Sequence, residues 1–263
     1  MESEIKVLKG EKENWSEQEL IVAFNLYCKI PFGQYHRNNK KVIELAKVLR
    51  RTPSAVALKL CNFARLDPLH QKRGIKGMQH GSKLDEKIWN EFNQNWEELA
   101  YQSEIALAQL KGQKHCDMIE DMEKLPPGKE REALVKVRIN QNFFREMIRA
   151  GYRNRCAICS LPEVNLLVAS HIIPWSEDVD LRMNPRNGIC MCVLHDKAFD
   201  KGLITISDDF KLMLSDTLKR FRREVAIERG FILYDGIKIK KPDKFLPDLK
   251  FIEFHRTKIF IDK

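Results

Sequence analysis

The chain has 263 residues, of which 43% are hydrophobic and 32% charged, a balance that suits a packed core and excludes disorder throughout. Lys and Arg number 46 against 37 Asp and Glu, so the net charge is +9. That excess favours a polyanionic partner, because each neutralised phosphate releases condensed counterions. No apolar run approaches the ~20 residues of a membrane helix, and the charged opening MESEIKVLKGEKEN lacks the apolar stretch of a secretory leader. Seven cysteines are present, and Cys28, Cys61 and Cys116 stand singly in helical-looking segments as small hydrophobes. The expectation is a reducing, cytoplasmic protein without a disulfide framework and with no membrane partner.

Residues 15–66 read as three short helices. In WSEQELIVAFNLYCK, Ser16 caps and Glu19 completes a capping box, with Leu20, Phe24 and Tyr27 at helical spacing. KKVIELAKVLRR places Val42, Leu45, Ala46 and Leu49 on one stripe. The third helix begins with Thr52 as N-cap and Pro53 at its first position. The unit resembles the three-helix modules of the Myb and helix-turn-helix type, which implies that Ser54, Lys59 and Asn62 face outward toward DNA. A helical bundle without a ligand fits the same pattern.

HQKRGIKGMQHGSK (70–83) is a Gly-rich basic loop, and residues 84–110 read as one long helix with Leu84, Ile88, Phe92, Trp96 and Leu99 spaced for packing. The polar stretch 111–132, with Pro126-Pro127-Gly128, is the expected linker between a helical docking region (1–110) and a second region (133–263). The second region starts with a helix bearing Arg145, Arg149 and Arg153, then short strands LLVASHI, NGICMC, GLITIS and FKLMLS. A basic helix around LKRFRREV, a hairpin around Asp235-Gly236 and a packed final helix complete it.

The informative stretch is 155–204. His171 ends an apolar strand, Asn187-Gly188 forms a turn before a second strand, and His195 opens a helix. This order resembles the ββα-metal finger of the HNH endonucleases, in particular the restriction-type group. The resemblance implies an α+β fold: a helical N-terminal region (the helix-turn-helix-like unit plus the long helix), then a ββα-metal domain with a small mixed C-terminal extension. It further implies hydrolysis of phosphodiester bonds in double-stranded DNA, in a defence role. His171 is then the general base, Asn187 a brace or metal-shell member, and His195 a ligand of Mg²⁺ or Mn²⁺. Asp200 is the expected second ligand, in preference to Asp196, because hard cations prefer carboxylate oxygen; Ser170 stands where many members have a metal-binding Asp or His before the base.

Cys156-x-x-Cys159 has zinc-ligand spacing, and many members carry two such pairs. The second pair here, Cys190-x-Cys192, departs from it, so a structural zinc is the less favoured reading and the four thiols are expected as core residues. Arg145, Arg149 and Arg153, with Lys219, Arg220, Arg222 and Arg223, are candidates for backbone phosphates, alongside Lys59 and Asn62. A homodimer would ease cutting of both strands. A zinc-stabilised regulator without catalysis, and a nuclease acting on RNA or single strands, are the alternatives.

Overall fold

A computed structural model describes residues 14–74, 81–112 and 129–261, with side chains from residue 133 onward in the last segment. The centre of the 70–83 loop, Cys116 and most of the 111–132 linker lie outside the described residues.

Helix α1 (Glu17–Lys29) is buried almost all round, as an apolar helix at the middle of a bundle must be. Its start is the expected capping box: Ser16 Oγ accepts from Glu19 N at 3.2 Å and Glu19 Oε2 from Ser16 N at 2.8 Å. Around it pack α2 (Lys40–Val48), α3 (Pro53–Leu66), the short α4 (Pro68–Lys72), α5 (Lys83–Phe92) and α6 (Trp96–Lys111). Thr52 Oγ1 caps α3 at Ala55 N, as its position before Pro53 predicts.

Two expectations fail in this region. The single long helix over 84–110 is broken into α5 and α6 at Asn93-Gln94-Asn95, letting Trp89 and Trp96 both reach the core from different directions. Lys59 and Asn62 do not face DNA; both are buried. Lys59 Nζ reaches both carboxylate oxygens of the fully buried Asp85, at 2.9 and 3.1 Å, and Asn62 Nδ2 donates to Asp85 at 3.0 Å. Helix α5 covers the α3 face that a helical wheel assigns to solvent. A buried ion pair of this kind leaves a costly lone charge when one partner is removed, about 3–5 kcal/mol.

The long helix α7 (Lys129–Gly151) packs on α1 and α6 with one face and on the finger with the other. The finger is β1 (Leu167–His171), β2 (Gly188–Cys192) and α8 (Val193–Asp200). The strands are antiparallel, with His171 opposite Gly188 and Leu167 opposite Cys192. Gly188 has a steric reason: a Cβ there would lie 2.5 Å from Ile148 Cδ1 and 2.8 Å from Phe144 Cζ, so a side chain would force α7 off the sheet.

A second antiparallel pair, β3 (Ile204–Ile206) with β4 (Leu212–Leu214), follows, then α9 (Asp216–Lys219), α10 (Val225–Gly230) and α11 (Leu249–Phe254). The expected hairpin around Asp235-Gly236 is absent. Residues 225–234 are helical turns instead, and the following segment joins the β4 side through an isolated bridge, Lys211 to Lys238, with Leu212 N donating to Ile237 O and Ile239 N to Phe210 O. The basic helix around LKRFRREV is likewise split between α9 and α10 by a turn.

The C-terminal part is pinned to the N-terminal bundle by Lys244. Its buried ammonium donates to the carbonyls of Tyr27, Cys28 and Ile30, at 2.5, 3.2 and 2.8 Å, taking up the orphan acceptors at the end of α1. Burial pulls this lysine down to about 8. No described helix is long and apolar enough to cross a membrane.

Candidate active site and metal centre

The two histidines of the motif sit in different places and do different work. His171 ends β1 as a half-buried ring stacked flat on Phe144 of α7 (centroids 4.3 Å apart) with the edge of Trp175 at 5.4 Å. Its Nε2 lies 3.0 Å from the carbonyl oxygen of Arg182. A carbonyl only accepts, so Nε2 carries the hydrogen and Nδ1 keeps a lone pair, with no hydrogen-bond partner among the described residues. Burial lowers the pKa of this imidazole below its ordinary value, against the Arg182 carbonyl and the charge of Asp196, so the ring is neutral near pH 7.

The Arg182 side chain secures that carbonyl. Its Nε donates to Trp175 O at 2.9 Å, and its guanidinium lies 4.9 Å from the Trp175 ring centroid. Arg182, Trp175 and His171 thus form a closed circuit across the loop.

Asn187 braces the same loop. Oδ1 accepts from Ile173 N at 2.8 Å, while Nδ2 donates to Ile173 O and Leu181 O at 3.1 and 3.3 Å. Both ends of the buried amide are committed to backbone, which suits the bracing role and leaves no oxygen pointed at a cation.

His195 corrects the expectation made for it. It is buried, and its Nδ1 faces thiols: Cys192 Sγ at 3.1 Å and Cys156 Sγ at 3.6 Å. Its Nε2 donates to Gly230 O at 2.8 Å. No nitrogen is left for a cation beside His171. With Cys159, whose Sγ is 3.9 Å from that of Cys192, these residues form a cluster whose donor atoms all lie within 4.8 Å of one another.

A tetrahedral zinc with ordinary zinc–sulfur and zinc–nitrogen bonds has ligand–ligand edges of about 3.5–3.8 Å, so three thiols and one imidazole at these separations fit that ion. The Gly230 carbonyl supplies the outer hydrogen bond that orients a metal-ligating imidazole. The four groups perturb one another in step. Hydrogen bonds from Cys159 and Cys192 pull the Cys156 thiol far down, and the same contacts push Cys159 far up. His195, against a burial that favours the neutral ring, is driven up to about 10 by the sulfurs of Cys156 and Cys192. Such a set gathers negative charge that a dication would neutralise.

Local backbone builds this cluster. Cys156–Leu161 is a tight knuckle in which Cys156 N donates to Leu161 O and Ser160 N to Cys156 O, with Ser160 left-handed at φ 65°. Ala157 N donates to Cys190 O at 2.7 Å, tying the knuckle to β2. Cys190 itself is buried outside the cluster, where burial raises its thiol to about 12 and keeps it inert. The pairs that could hold a metal are therefore Cys156-x-x-Cys159 and Cys192-x-x-His195. Pairing Cys190 with Cys192 put the second pair in the wrong frame; matching the spacing from Cys192 forward would have found it.

That shift exposes a residue the sequence reading set aside. Asp196 follows His195 by one helical step of ~100°, so it leaves α8 on another side. It is half-buried beside the Ser170 hydroxyl and close enough to His171 to act on its charge. Burial raises the Asp196 carboxyl above its usual range; Ser170 opposes the rise and the nearby charge of Asp200 adds to it. Ser170 Oγ is buried without a hydrogen bond of good geometry. Asp200 lies one turn further along α8 and is exposed, between Lys197 and Lys201.

Of the cationic candidates, Arg145, Arg220, Arg222 and Arg223 are exposed. Arg149 donates to Val164 O at 3.3 Å, and Arg153 is paired with Asp243 at 2.5 Å, so both already serve local structure.

No curated protein matches the chain. Residues 156–207, from the first thiol of the cluster to the end of β3, match the family model described as HNH endonuclease. The strand with His171, the bracing Asn187 and the helix with Asp196 all fall within that matched span, so the finger is similar to HNH endonuclease domains.

Proposed function

We propose that the protein is a metal-dependent endonuclease cutting double-stranded DNA, with His171 as general base and a zinc-held finger as its scaffold. The observation that carries the reading is the state of His171: its Nε2 hydrogen is held by the Arg182 carbonyl, leaving a neutral ring with Nδ1 free to accept a proton. Nδ1 takes a proton from the water that attacks phosphorus, the bond to the leaving 3′-oxygen breaks, and a 5′-phosphate end remains. Stacking on Phe144 and the Arg182–Trp175 circuit hold the ring in one orientation throughout.

Asp196 and the Ser170 hydroxyl beside it are the groups that would hold a catalytic divalent cation, with Asp200 nearby to add negative charge. A hard ion such as Mg²⁺ or Mn²⁺ would stabilise the charge developing on the phosphate and leaving oxygen. Cys156, Cys159, Cys192 and His195 would hold a separate structural zinc, with no position open to substrate. Residues 14–112 dock the DNA-facing finger without offering Lys59 or Asn62 to it, and a role in defence against foreign DNA fits the family.

The test is a cleavage panel: duplex DNA, single-stranded DNA and RNA, each with Mg²⁺, Mn²⁺ or neither, for the wild type and His171→Ala. Cutting of duplex that needs the ion and His171 is expected. Tightly bound zinc with no cation-dependent cutting of any substrate would instead identify a zinc-stabilised DNA-binding regulator, the reading that the thiol–imidazole cluster favours second.

A further inference from the structure

Between α9 and α10 the chain makes a turn, Lys219 to Glu224, whose chemistry the catalytic site does not use. Phe221 stands at its tip with 56% of its surface exposed, while the neighbouring Leu218 is buried as the anchor. Exposing a phenylalanine ring costs stability that an ordinary surface position avoids. Around it stand Lys219, Arg220, Arg222 and Arg223, with Asp216 and Glu224 bounding the run, so four cations face two carboxylates. Arg220, Arg222 and Arg223 have no ion pair or side-chain hydrogen bond among the described residues, and Lys219 has only a 3.7 Å pairing with Asp235.

The turn is held rather than loose. Phe221 N donates to Leu218 O, Arg222 N to Lys219 O and Glu224 N to Phe221 O, at 3.2, 3.1 and 2.9 Å. The segment after it closes on the metal cluster, since Gly230 O takes the His195 hydrogen and the rings of Phe231 and Tyr234 meet the His195 ring edge-on. The turn is therefore fixed to the base of α8, whose next residue, Asp196, is close enough to His171 to act on its charge.

We propose that the Lys219–Arg223 turn is a nucleic-acid contact in which Phe221 stacks on a nucleobase while the flanking cations hold its phosphates. Free cations supply attraction to a polyanion, and a pre-ordered ring supplies a stacking surface at low entropic cost. The base is available in a single strand or at a duplex step kinked open by the ring. The inference rests on the nuclease reading for its ligand class, but binding tests it without cleavage.

The measurement is fluorescence anisotropy of the full chain, carrying His171→Ala, with labelled 20-nucleotide single-stranded and duplex probes across a salt series. Phe221→Ala is expected to weaken binding by about tenfold or more while leaving the salt slope unchanged, and Phe221→Trp to restore affinity with its fluorescence quenched on binding. Each of Arg220→Ala, Arg222→Ala and Arg223→Ala that loses a phosphate contact should flatten the slope by ~0.9. Loss confined to the single strand assigns the base to that source; loss on both probes assigns it to a kinked duplex. Wild-type affinity for both probes in Phe221→Ala, at an unchanged melting temperature, overturns the proposal. So does Phe221-dependent binding to phosphatidylserine vesicles without any on nucleic acid. Failure of the chain with His171 intact to cleave any nucleic acid, with Phe221-dependent binding intact, would instead sink the catalytic reading alone.

Discussion

The two ends of the finger use neighbouring residues for opposite purposes. At one end His195 is buried among thiols with both ring nitrogens engaged; at the other, His171 keeps one nitrogen without a hydrogen-bond partner among the described residues, close enough to Asp196 to feel its charge. His195 and Asp196 are adjacent in the chain yet belong to different ends, because one step along a helix turns ~100°. A scaffold metal wants a closed, saturated shell, and a reacting centre wants a neutral base and unfilled oxygens. On the proposed reading, the helix start of α8 supplies one residue to each.

The comparison breaks most visibly at the scaffold. If Cys156, Cys159, Cys192 and His195 hold zinc, metal analysis should find one ion per chain, lost in Cys156→Ser and retained in Cys190→Ser. Structural zinc contributes about 10–16 kcal/mol in small fingers, so Cys156→Ser or chelation should collapse the finger in a thermal melt. Equal zinc content in the two variants would dissolve the cluster as a site.

The next effect belongs to the base. His171→Ala should lower the cleavage rate by about 10²–10⁴-fold with DNA affinity almost unchanged. Residual cutting within tenfold of wild type would remove His171 from the chemistry. A sharper cut separates the two acids: Asp196→Asn should cost about 100-fold and demand more Mg²⁺ for half-maximal rate, whereas Asp200→Asn should cost much less. The reverse ranking would return the cation to the far end of α8.

Smaller effects probe the circuit around the base. Arg182→Ala should lower kcat about tenfold at unchanged KM and melting temperature, since only the ring's orientation is relaxed. In the wild type, burial lowers the pKa of His171, so its competent neutral form persists at pH 7 and is lost as pH falls through that lowered value. The acid limb of the pH–rate profile should thus lie below 6.5, and a limb above it would contradict the buried ring.

Much of this was legible in the residues. Hydrophobic spacing marked α1, α2 and α3, an arginine-lined face marked α7, the Ser16 box and Thr52-Pro53 marked helix starts, and short apolar runs marked all four strands. His171 and Asn187 were visible because residue type, order and element coincide. The Asn93–Asn95 break was not, because either a straight or a bent path keeps Trp89 and Trp96 at helical spacing. The Gly236 hairpin failed because a turn residue does not dictate what its flanks pair with: here Phe231 and Tyr234 pack on His195, while Ile237–Ile239 bonds to residues 210–212.

Local chemistry in the sequence thus determined where the helices cap and which strands flank the motif. The tertiary structure decided the partners: that Asp85 claims Lys59 and Asn62, that the thiols claim His195, and that Asp196 lies near enough to His171 to act on its charge. A side chain's type limits what it can bind, but which groups reach it depends on the packing of elements far apart in the chain, and no local pattern carries that information.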